Sequence, residues 1–174
     1  MPCNNWKNKY SCYNLGNFLL LNMHNNTAFI FPGQGSQQIG MGKEFYDNFQ
    51  EAKETFQEID EALNQNLSEL IFNGEPAELT KTENTQPALM AVSLAINKII
   101  TKNKPITEFC DYAAGHSLGE YSALAAANAL SISDCAKILK VRGNAMSKAG
   151  AKTQGAMAAV IGVDIDVAEK IAKE

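Results

Sequence analysis

The sequence predicts an α/β fold in which a parallel sheet is covered by helices. Residues 28–31 form a short apolar run without alternation, as expected of a strand buried on both faces of a parallel sheet. A second short apolar run, at 109–114, enters a glycine-containing turn and leaves as an alanine-rich helical run from 121 to 130. Helical patterns occupy most of the remaining sequence from residue 43 onward.

The composition limits the class of protein. The chain has 174 residues, of which 45% are hydrophobic and 20% charged, so it is a globular candidate of one domain, or of one domain plus part of another. A net charge of -4 gives no reason to expect nucleic acid as a partner. No apolar run approaches the roughly 20 residues of a membrane span, so no membrane partner is expected. Reduced thiols in a cytoplasm are expected, because no metal-type or secreted disulfide spacing links the cysteines Cys3, Cys12, Cys110 and Cys135.

Residues 1–26 differ from the rest of the chain. They hold eight asparagines, and their only apolar cluster is 18–21. Lysines precede that cluster, as in a signal peptide, but asparagines on both sides keep its apolar core below the roughly 7 residues that such a segment needs. We predict that this head is disordered or is an upstream extension, with Met23 as the better candidate start.

The first strand ends in a glycine-rich loop, 32–37. Its two glycines flank Gln34 and let the backbone turn sharply, so that its N–H groups can approach a bound group. The loop could therefore supply a donor to an oxyanion. A phosphate-binding loop is the alternative, but the loop lacks both Gly-Lys-Ser/Thr and Gly-x-Gly-x-x-Gly.

Two helices are predicted before the second strand. From 43 to 63 the apolar residues recur at steps of three and four, which indicates one amphipathic helix. Its other face carries carboxylates, which are typical of a solvated face rather than of acid–base chemistry. Pro87 suits the first turn of a second helix that runs to about Ile100 and is apolar on most sides, as expected of a helix packed beside the sheet.

The second apolar run leads into the sequence Gly115-His116-Ser117-Leu118-Gly119. A serine at the apex of a sharp strand-to-helix turn needs glycines two residues before and after it, because side chains there would collide with the turn. Ser117 is therefore a candidate nucleophile, and the Leu118 N–H, at the start of the following helix, is a candidate oxyanion donor. A Gly-Ser turn without chemistry is the alternative.

Arg142 is the only arginine in the chain, and every other basic side chain is a lysine. A helix capped by Ser131 or Ser133 carries an apolar stripe, and Arg142 takes a place in it where an aliphatic residue is expected. The stripe consists of Cys135, Ile138, Leu139, Ala145 and Met146. An arginine on a buried face suggests a planar, two-pronged donor for a carboxylate. A core-lining stem with its head in water, or a structural ion pair, remains the alternative.

The last part of the sequence predicts another strand and helix. Residues 155–162 form an apolar run, and Asp164 or Asp166 would start a helix. No glycine or proline follows, so the helix is expected to continue to Glu174.

Together these motifs resemble those of the malonyl-CoA:acyl carrier protein transacylase family, from Thr27 to Glu174. The motif segments are, in order, 31–37, 85–88, 115–120, 141–143 with Met146, and 155–159. The resemblance implies a large α/β-hydrolase-like domain with a parallel sheet, of which residues 27–150 are the N-terminal part. Residues 151–174 would open a ferredoxin-like small domain that is inserted in it.

The resemblance also implies an activity and its residues. Ser117 would take the malonyl group of malonyl-CoA as an ester and pass it to the thiol of acyl carrier protein, in fatty acid biosynthesis. The N–H groups of Leu118 and Gln34 would form the oxyanion hole, and Arg142 would bind the free malonyl carboxylate. Neither a cofactor nor a metal is implied.

One part of the family pattern does not match. The family's general base is a histidine far downstream of the serine, whereas this chain has only His24 and His116. His116 adjoins Ser117 on a turn, so their side chains are expected to point in different directions. We therefore expect the chain alone to have little or no transacylase activity, as a fragment, a disrupted gene product or half of a split enzyme whose partner chain supplies the C-terminal half. A serine hydrolase and a non-catalytic remnant that binds CoA or carrier protein remain open.

Overall fold

The computed structural model describes residues 27–153 and 160–173 and is mostly helical around a small parallel sheet. One 3₁₀ turn, Ile106–Glu108, lies between residues 100 and 112. The predictions for residues 1–26 lie outside the described residues. In chain order the elements are β1 (Ala28–Phe31), α1 (Lys43–Asn48), α2 (Gln50–Leu63), α3 (Leu67–Asn73), α4 (Pro76–Thr80), α5 (Thr82–Ile100), β2 (Tyr112–Gly115), α6 (Leu118–Ala126), α7 (Ile132–Thr153) and α8 (Ile165–Ile171).

The sheet brings two loops to the same edge. Strands β1 and β2 are parallel, with Ala28 opposite Tyr112 and Phe31 opposite Gly115. The pairing extends past the strand ends, because the His116 N–H donates to the Phe31 carbonyl at 3.2 Å. Both strands therefore end side by side, which confirms the predicted strand positions and places the loop after β1 next to the turn after β2.

The prediction that the first strand is buried on both faces is wrong. Phe31 is buried, but Ile30 is 71% exposed and Tyr112 on β2 is 62% exposed. Helix α6 packs against both strands. Within residues 27–153 and 160–173 the sheet has only these two strands, so part of its apolar surface faces solvent.

The single helix predicted over 43–63 is two helices. Phe49 has φ -130° and ψ 124°, an extended conformation that ends α1 at Asn48 and starts α2 at Gln50. The apolar periodicity continues across the break, because Phe45 and Phe49 still contact each other, with ring centroids 6.4 Å apart. Side-chain pattern alone therefore does not reveal the change of direction.

Helix α5 begins earlier than predicted. It runs from Thr82 to Ile100, so Pro87 lies inside the helix rather than in its first turn. The predicted end is confirmed, and so is its deep packing, since its residues from 84 to 91 are all buried. The helix places Gln86, one residue before the proline, in the interior with 1% exposure.

The core lies where helices α2, α5 and α7 pack together. Large side chains from several elements fill it, and they are Phe56, Ile59, Leu67, Ile71, Leu79, Met90, Leu94, Leu118 and Leu139. Helices α5 and α7 approach closely at Gly143, where a Cβ would lie 2.6 Å from the Cα of Glu83. This close approach fixes the position of Arg142, the preceding residue, relative to α5.

In the C-terminal part, the structure confirms only some of the predictions made from the sequence. Ser131 caps α7 as predicted, because the Asp134 N–H donates to its Oγ at 3.0 Å. Of the predicted strand 155–162, residues 155–159 lie outside the described ranges, and 160–162 are not part of a sheet. Helix α8 follows Asp164 as predicted, but it ends at Ile171, short of the expected end.

The boundary between a large and a small domain at residue 150 stays a prediction. Helix α7 runs across that position to Thr153. Among the described helices, none is both long and apolar enough to cross a bilayer.

Candidate functional site

Ser117 lies at the apex of the turn between β2 and α6. Its backbone has φ 56° and ψ -111°, which is uncommon for a residue with a side chain. The turn is closed by two backbone hydrogen bonds, from the Gly119 N–H to the His116 carbonyl at 2.9 Å and from the Glu120 N–H to the Ser117 carbonyl at 3.2 Å. The structure therefore confirms the predicted strand–turn–helix geometry around the serine.

The glycines that flank Ser117 are needed for steric reasons. A Cβ on Gly115 would overlap the backbone of Gly119, and a Cβ on Gly119 would overlap the Phe31 carbonyl of the neighbouring strand. The first contact joins the end of β2 to α6 and the second joins α6 to β1, so the turn is packed against both strands. Side chains at these two positions would force the turn apart and displace the serine.

The two predicted oxyanion donors lie on either side of this turn. Leu118 is the first residue of α6 and its side chain is buried, whereas Gln34 is exposed in the loop after β1. That loop is packed on the turn, because a Cβ on Gly33 would overlap the His116 imidazole. Within the described ranges, neither the Leu118 N–H nor the Gln34 N–H donates a hydrogen bond to the protein. Both groups remain available to a bound oxygen.

Arg142 extends from α7 to the serine. Its Nη2 donates to the Ser117 Oγ at 3.1 Å, and its Nη1 donates to the Gln86 Oε1 at 2.8 Å. The guanidinium also lies over the Tyr121 ring, with its Cζ 5.8 Å from the ring centroid. No carboxylate of the described residues forms an ion pair with it. The structural ion pair left open by the sequence is therefore absent from these ranges.

The stripe predicted around Arg142 is only partly buried. Cys135 and Leu139 are fully buried, but Ile138 is 38% exposed, and Arg142 itself is half-buried. Of the remaining members of the stripe, Ala145 is exposed and Met146 is half-buried. The first half of α7 packs on the core, while Arg142 lies at the edge of it. That position gives the guanidinium access to both the serine and solvent.

Sequence reasoning missed Gln86 and Tyr121. Gln86 is fully buried, accepts from Arg142, and donates from its Nε2 to the Met146 sulfur at 3.3 Å. Gln86 lies in the motif segment 85–88, which marks the position in the sequence but not its partner. Tyr121 follows the turn by four residues, and nothing in the sequence marks it as a partner of the arginine.

No imidazole contacts Ser117 in the described part of the chain. The His116 side chain is exposed beside Gly33, and its backbone N–H pairs with β1. His24 lies outside the described residues. Among the described residues, the Ser117 hydroxyl has one side-chain hydrogen bond, from Arg142. The site thus holds a serine and a cation without a base next to them.

Burial raises the pKa of one cysteine thiol. Desolvation raises the pKa of the Cys135 thiol to about 12, and its Sγ donates to the Tyr121 carbonyl at 3.4 Å. Such a thiol is neutral near pH 7 and is not a nucleophile there. In residues 27–153 and 160–173, no three His, Cys, Asp or Glu side chains lie close enough together to hold a metal ion.

A search against family models gives a clear match. The model described as the acyl transferase domain matches residues 28–173. A malonyl CoA-acyl carrier protein transacylase of Bacillus subtilis (strain 168) is 50% identical over 144 residues, which are 83% of this chain and 44% of that protein. The chain thus spans about half the length of the curated relatives it matches.

Solved structures agree with the sequence matches. The crystal structure of an acyl-carrier-protein-S-malonyltransferase from Bartonella henselae superimposes with a TM-score of 0.74 at 45% identity, over 85% of this chain and 48% of that one. A complex of a type II PKS acyl-carrier protein with its malonyl-transacylase superimposes with a TM-score of 0.67 at 38% identity, over 71% of this chain and 40% of that one.

The resemblance seen in the motifs is confirmed by these independent matches. The family model spans both strands, the serine turn and the arginine helix. Similarity in sequence extends over 83% of this chain, and similarity in backbone geometry over 85% of it. The chain belongs to the acyl transferase domain family.

Proposed function

We propose that the domain containing this chain transfers a malonyl group from malonyl-CoA to the thiol of acyl carrier protein, in fatty acid biosynthesis. The observation that carries the proposal is the 3.1 Å contact between the Arg142 guanidinium and the Ser117 hydroxyl at the apex of the turn. A nucleophile next to a cation without a carboxylate partner suits an acyl group that ends in a carboxylate. The relatives that are named malonyl transacylases support the same substrate.

In the first half-reaction the Ser117 Oγ attacks the thioester carbonyl carbon. A C–O bond forms, the C–S bond breaks, and the CoA thiolate leaves and takes up the proton that the serine loses. Negative charge develops on the carbonyl oxygen, and the N–H groups of Leu118 and Gln34 would donate to it. Each such donor is typically worth about 3 kcal/mol in the transition state.

In the second half-reaction the pantetheine thiol of acyl carrier protein attacks the serine ester. The new C–S bond forms, the C–O bond breaks, and the serine recovers a proton. Both halves need a group that accepts and returns that proton. Because no described side chain next to Ser117 can do so, we infer that a histidine beyond these residues supplies the base, and that this chain alone turns over little or not at all.

Arg142 accounts for the choice of acyl group. A malonyl carboxylate can take two N–H donors of the guanidinium in a planar, two-pronged arrangement. An acetyl or longer alkyl group would cover the half-buried guanidinium without pairing with its charge, and a polar group buried without its partner typically costs about 1–3 kcal/mol. Selection therefore depends on the penalty against the wrong substrate as much as on the attraction of the right one.

The test is intact-mass measurement of the purified chain, mixed with the remaining half of a relative's domain, with and without malonyl-CoA. We expect a malonyl-sized mass gain that is absent in Ser117→Ala and weakened in Arg142→Ala. Val141→Ala, on the exposed side of the same helix, is the control and should not alter the gain. A folded chain that gains no mass, even when mixed with the remaining half of a relative's domain, would contradict the proposal.

Two other functions would give different experimental results. A serine hydrolase would cleave simple esters that lack a carboxylate, with no dependence on Arg142. A non-catalytic remnant would bind CoA or carrier protein without forming an ester at Ser117. The reduced, buried Cys110 and Cys135 suit a cytoplasmic protein, which is the localisation that we propose.

A further inference from the structure

Gln86 is the one fully buried polar side chain that touches the cation of the candidate site. It extends from α5, whereas Arg142 extends from α7 and Ser117 lies before α6. The three residues form a chain of contacts, from the amide to the guanidinium to the hydroxyl, with distances of 2.8 Å and 3.1 Å. The amide is thus the only part of this chain of contacts that cannot reach solvent.

The orientation of the Gln86 amide is fixed at both ends. Its oxygen accepts from Arg142, which has donors only, and its nitrogen faces the Met146 sulfur, a weak acceptor, at 3.3 Å. A rotated amide would present an N–H to the guanidinium and would lose both contacts. The amide therefore holds one terminal nitrogen of the guanidinium and leaves the other directed at the serine.

A neutral amide fixes the guanidinium without neutralising it. A carboxylate in the same place would form an ion pair with Arg142 inside the protein and would compete with any carboxylate on the substrate. Because no described carboxylate pairs with Arg142, its full charge is available at the serine. Orientation and uncompensated charge together are what recognition of a substrate carboxylate requires.

We infer that Gln86 is a positioning residue that sets the acyl selectivity of the site, by holding the Arg142 guanidinium in place while leaving its charge uncompensated. The inference rests on the proposed function, since it concerns which acyl group Ser117 accepts. It assigns a role to a side chain that touches neither the nucleophile nor the oxyanion donors.

The first measurement uses the fact that Arg142 is the only arginine in the chain. Protein labelled with ¹⁵N-arginine gives side-chain signals from this residue alone. With Gln86 in place we expect two separate Nη signals, because a fixed guanidinium rotates slowly about its Cζ–Nη bonds. Gln86→Met, which keeps the volume but removes the acceptor, should merge them into one averaged signal.

The second measurement compares malonyl and acetyl ester formation at Ser117, from malonyl-CoA and acetyl-CoA, by intact mass. Gln86→Glu should lower the ratio of the malonyl to the acetyl rate by about tenfold or more, because the new carboxylate pairs with Arg142 and repels the substrate's. A purely structural role for Gln86 would lower both rates equally and leave the ratio unchanged.

The matched control is Gln65→Glu. The Gln65 Oε1 accepts from Lys140 of the same helix at 2.7 Å, so this variant also places a carboxylate beside a cation of α7. Lys140 is not among the groups that contact Ser117. The control should leave both the Arg142 signals and the acyl ratio as in the parent chain.

The outcomes separate this inference from the proposed function. Separate Nη signals that persist in Gln86→Met, or an acyl ratio unchanged in Gln86→Glu, would overturn the inference. If the parent chain forms neither ester even when mixed with the remaining half of a relative's domain, the proposed function fails, and titration with malonate and acetate decides the inference instead. A shift of the Arg142 signals by malonate that is lost in Gln86→Glu supports it, and an equal response of both proteins rejects it.

Discussion

Arg142 illustrates how a residue's role depends on the geometry of its donors as well as on its charge. It divides its terminal nitrogens between Gln86 and Ser117. A lysine has one nitrogen with rotating donors and cannot hold both positions with the same planar geometry. From the sequence, the one arginine in an apolar stripe suggested a two-pronged donor for a carboxylate, whereas its contacts with Gln86 and Ser117 were not predicted.

Arg142→Lys should therefore keep the charge but lose selectivity. We expect the ratio of malonyl to acetyl ester at Ser117 to fall by about tenfold or more, since a point charge on a flexible stem rejects an acetyl group less strongly. Intact mass after a fixed time with each thioester measures the ratio. Lys140→Arg is the control, and a ratio equal to that of the parent would show that charge alone suffices.

Cys135 should be inert in the folded protein. Its pKa is raised to about 12 by burial, so the thiolate that reacts with alkylating agents is scarce at pH 8. We expect peptide mass spectrometry to find no iodoacetamide adduct at Cys135 in native protein and complete modification in urea. Rapid labelling without denaturant would mean that α7 opens readily.

Gln86 could not have been assigned from the sequence. Its partner is 56 positions later in the chain, and nothing local distinguishes a buried glutamine that binds an arginine from one that faces water. Ser117 was identifiable because the two glycines that its turn requires lie two residues before and after it in the sequence. Local requirements are visible in a sequence, whereas pairings between distant elements are not.

At the scale of elements, the seam between α5 and α7 determines the position of the arginine. Gly143 allows α7 to approach the backbone of α5 at Thr82 and Glu83. The atoms nearest to a methyl group at this position belong to the backbone of α5, so no flexible side chain could move aside to make room for it. The seam therefore depends on the absence of a side chain next to the functional residue.

Gly143→Ala should separate the two helices. We expect a loss of about 1–3 kcal/mol in the free energy of unfolding, as for other overpacked sites, together with weaker malonyl loading because Arg142 moves away from Ser117. Urea unfolding followed by circular dichroism measures the first effect. Gly150→Ala is the control in the same helix. A Cβ there meets no atom within 4 Å, so it should be neutral or stabilise the helix by up to about 1 kcal/mol.

Boundaries of elements were less predictable than their presence. The break at Phe49 leaves the apolar periodicity intact, so the pattern over 43–63 indicated one helix where there are two. Pro87 was assigned to a first turn because it lacks an N–H, yet α5 begins five residues earlier, at Thr82. A proline in the second turn costs one backbone hydrogen bond, which the buried packing of this helix outweighs.

At the scale of the molecule, stability comes from the packing of α2, α5 and α7 rather than from the sheet. The sequence predicted a strand covered on both faces, but an apolar run does not specify which elements will cover it. Two described strands leave Ile30 largely exposed, while Leu139 in the helical core is fully buried.

Leu139→Ala should therefore destabilise the whole fold. Removing a fully buried leucine side chain typically costs about 2–5 kcal/mol, and the midpoint of urea unfolding should fall accordingly. Val141→Ala lies two residues away on the same helix, where the side chain is 70% exposed, and should change the midpoint little. Equal effects of the two substitutions would contradict the assignment of the core.

The conformation of Ser117 has a consequence for protein engineering. A residue with a side chain at φ 56° and ψ -111° typically costs about 1–3 kcal/mol of folding free energy, whereas glycine adopts such angles freely. A screen for heat resistance that ignores turnover should therefore favour glycine at position 117 and discard the nucleophile early. A library designed for thermostability should keep serine at position 117, because the residue that gives the highest stability there is not the residue that the proposed activity requires.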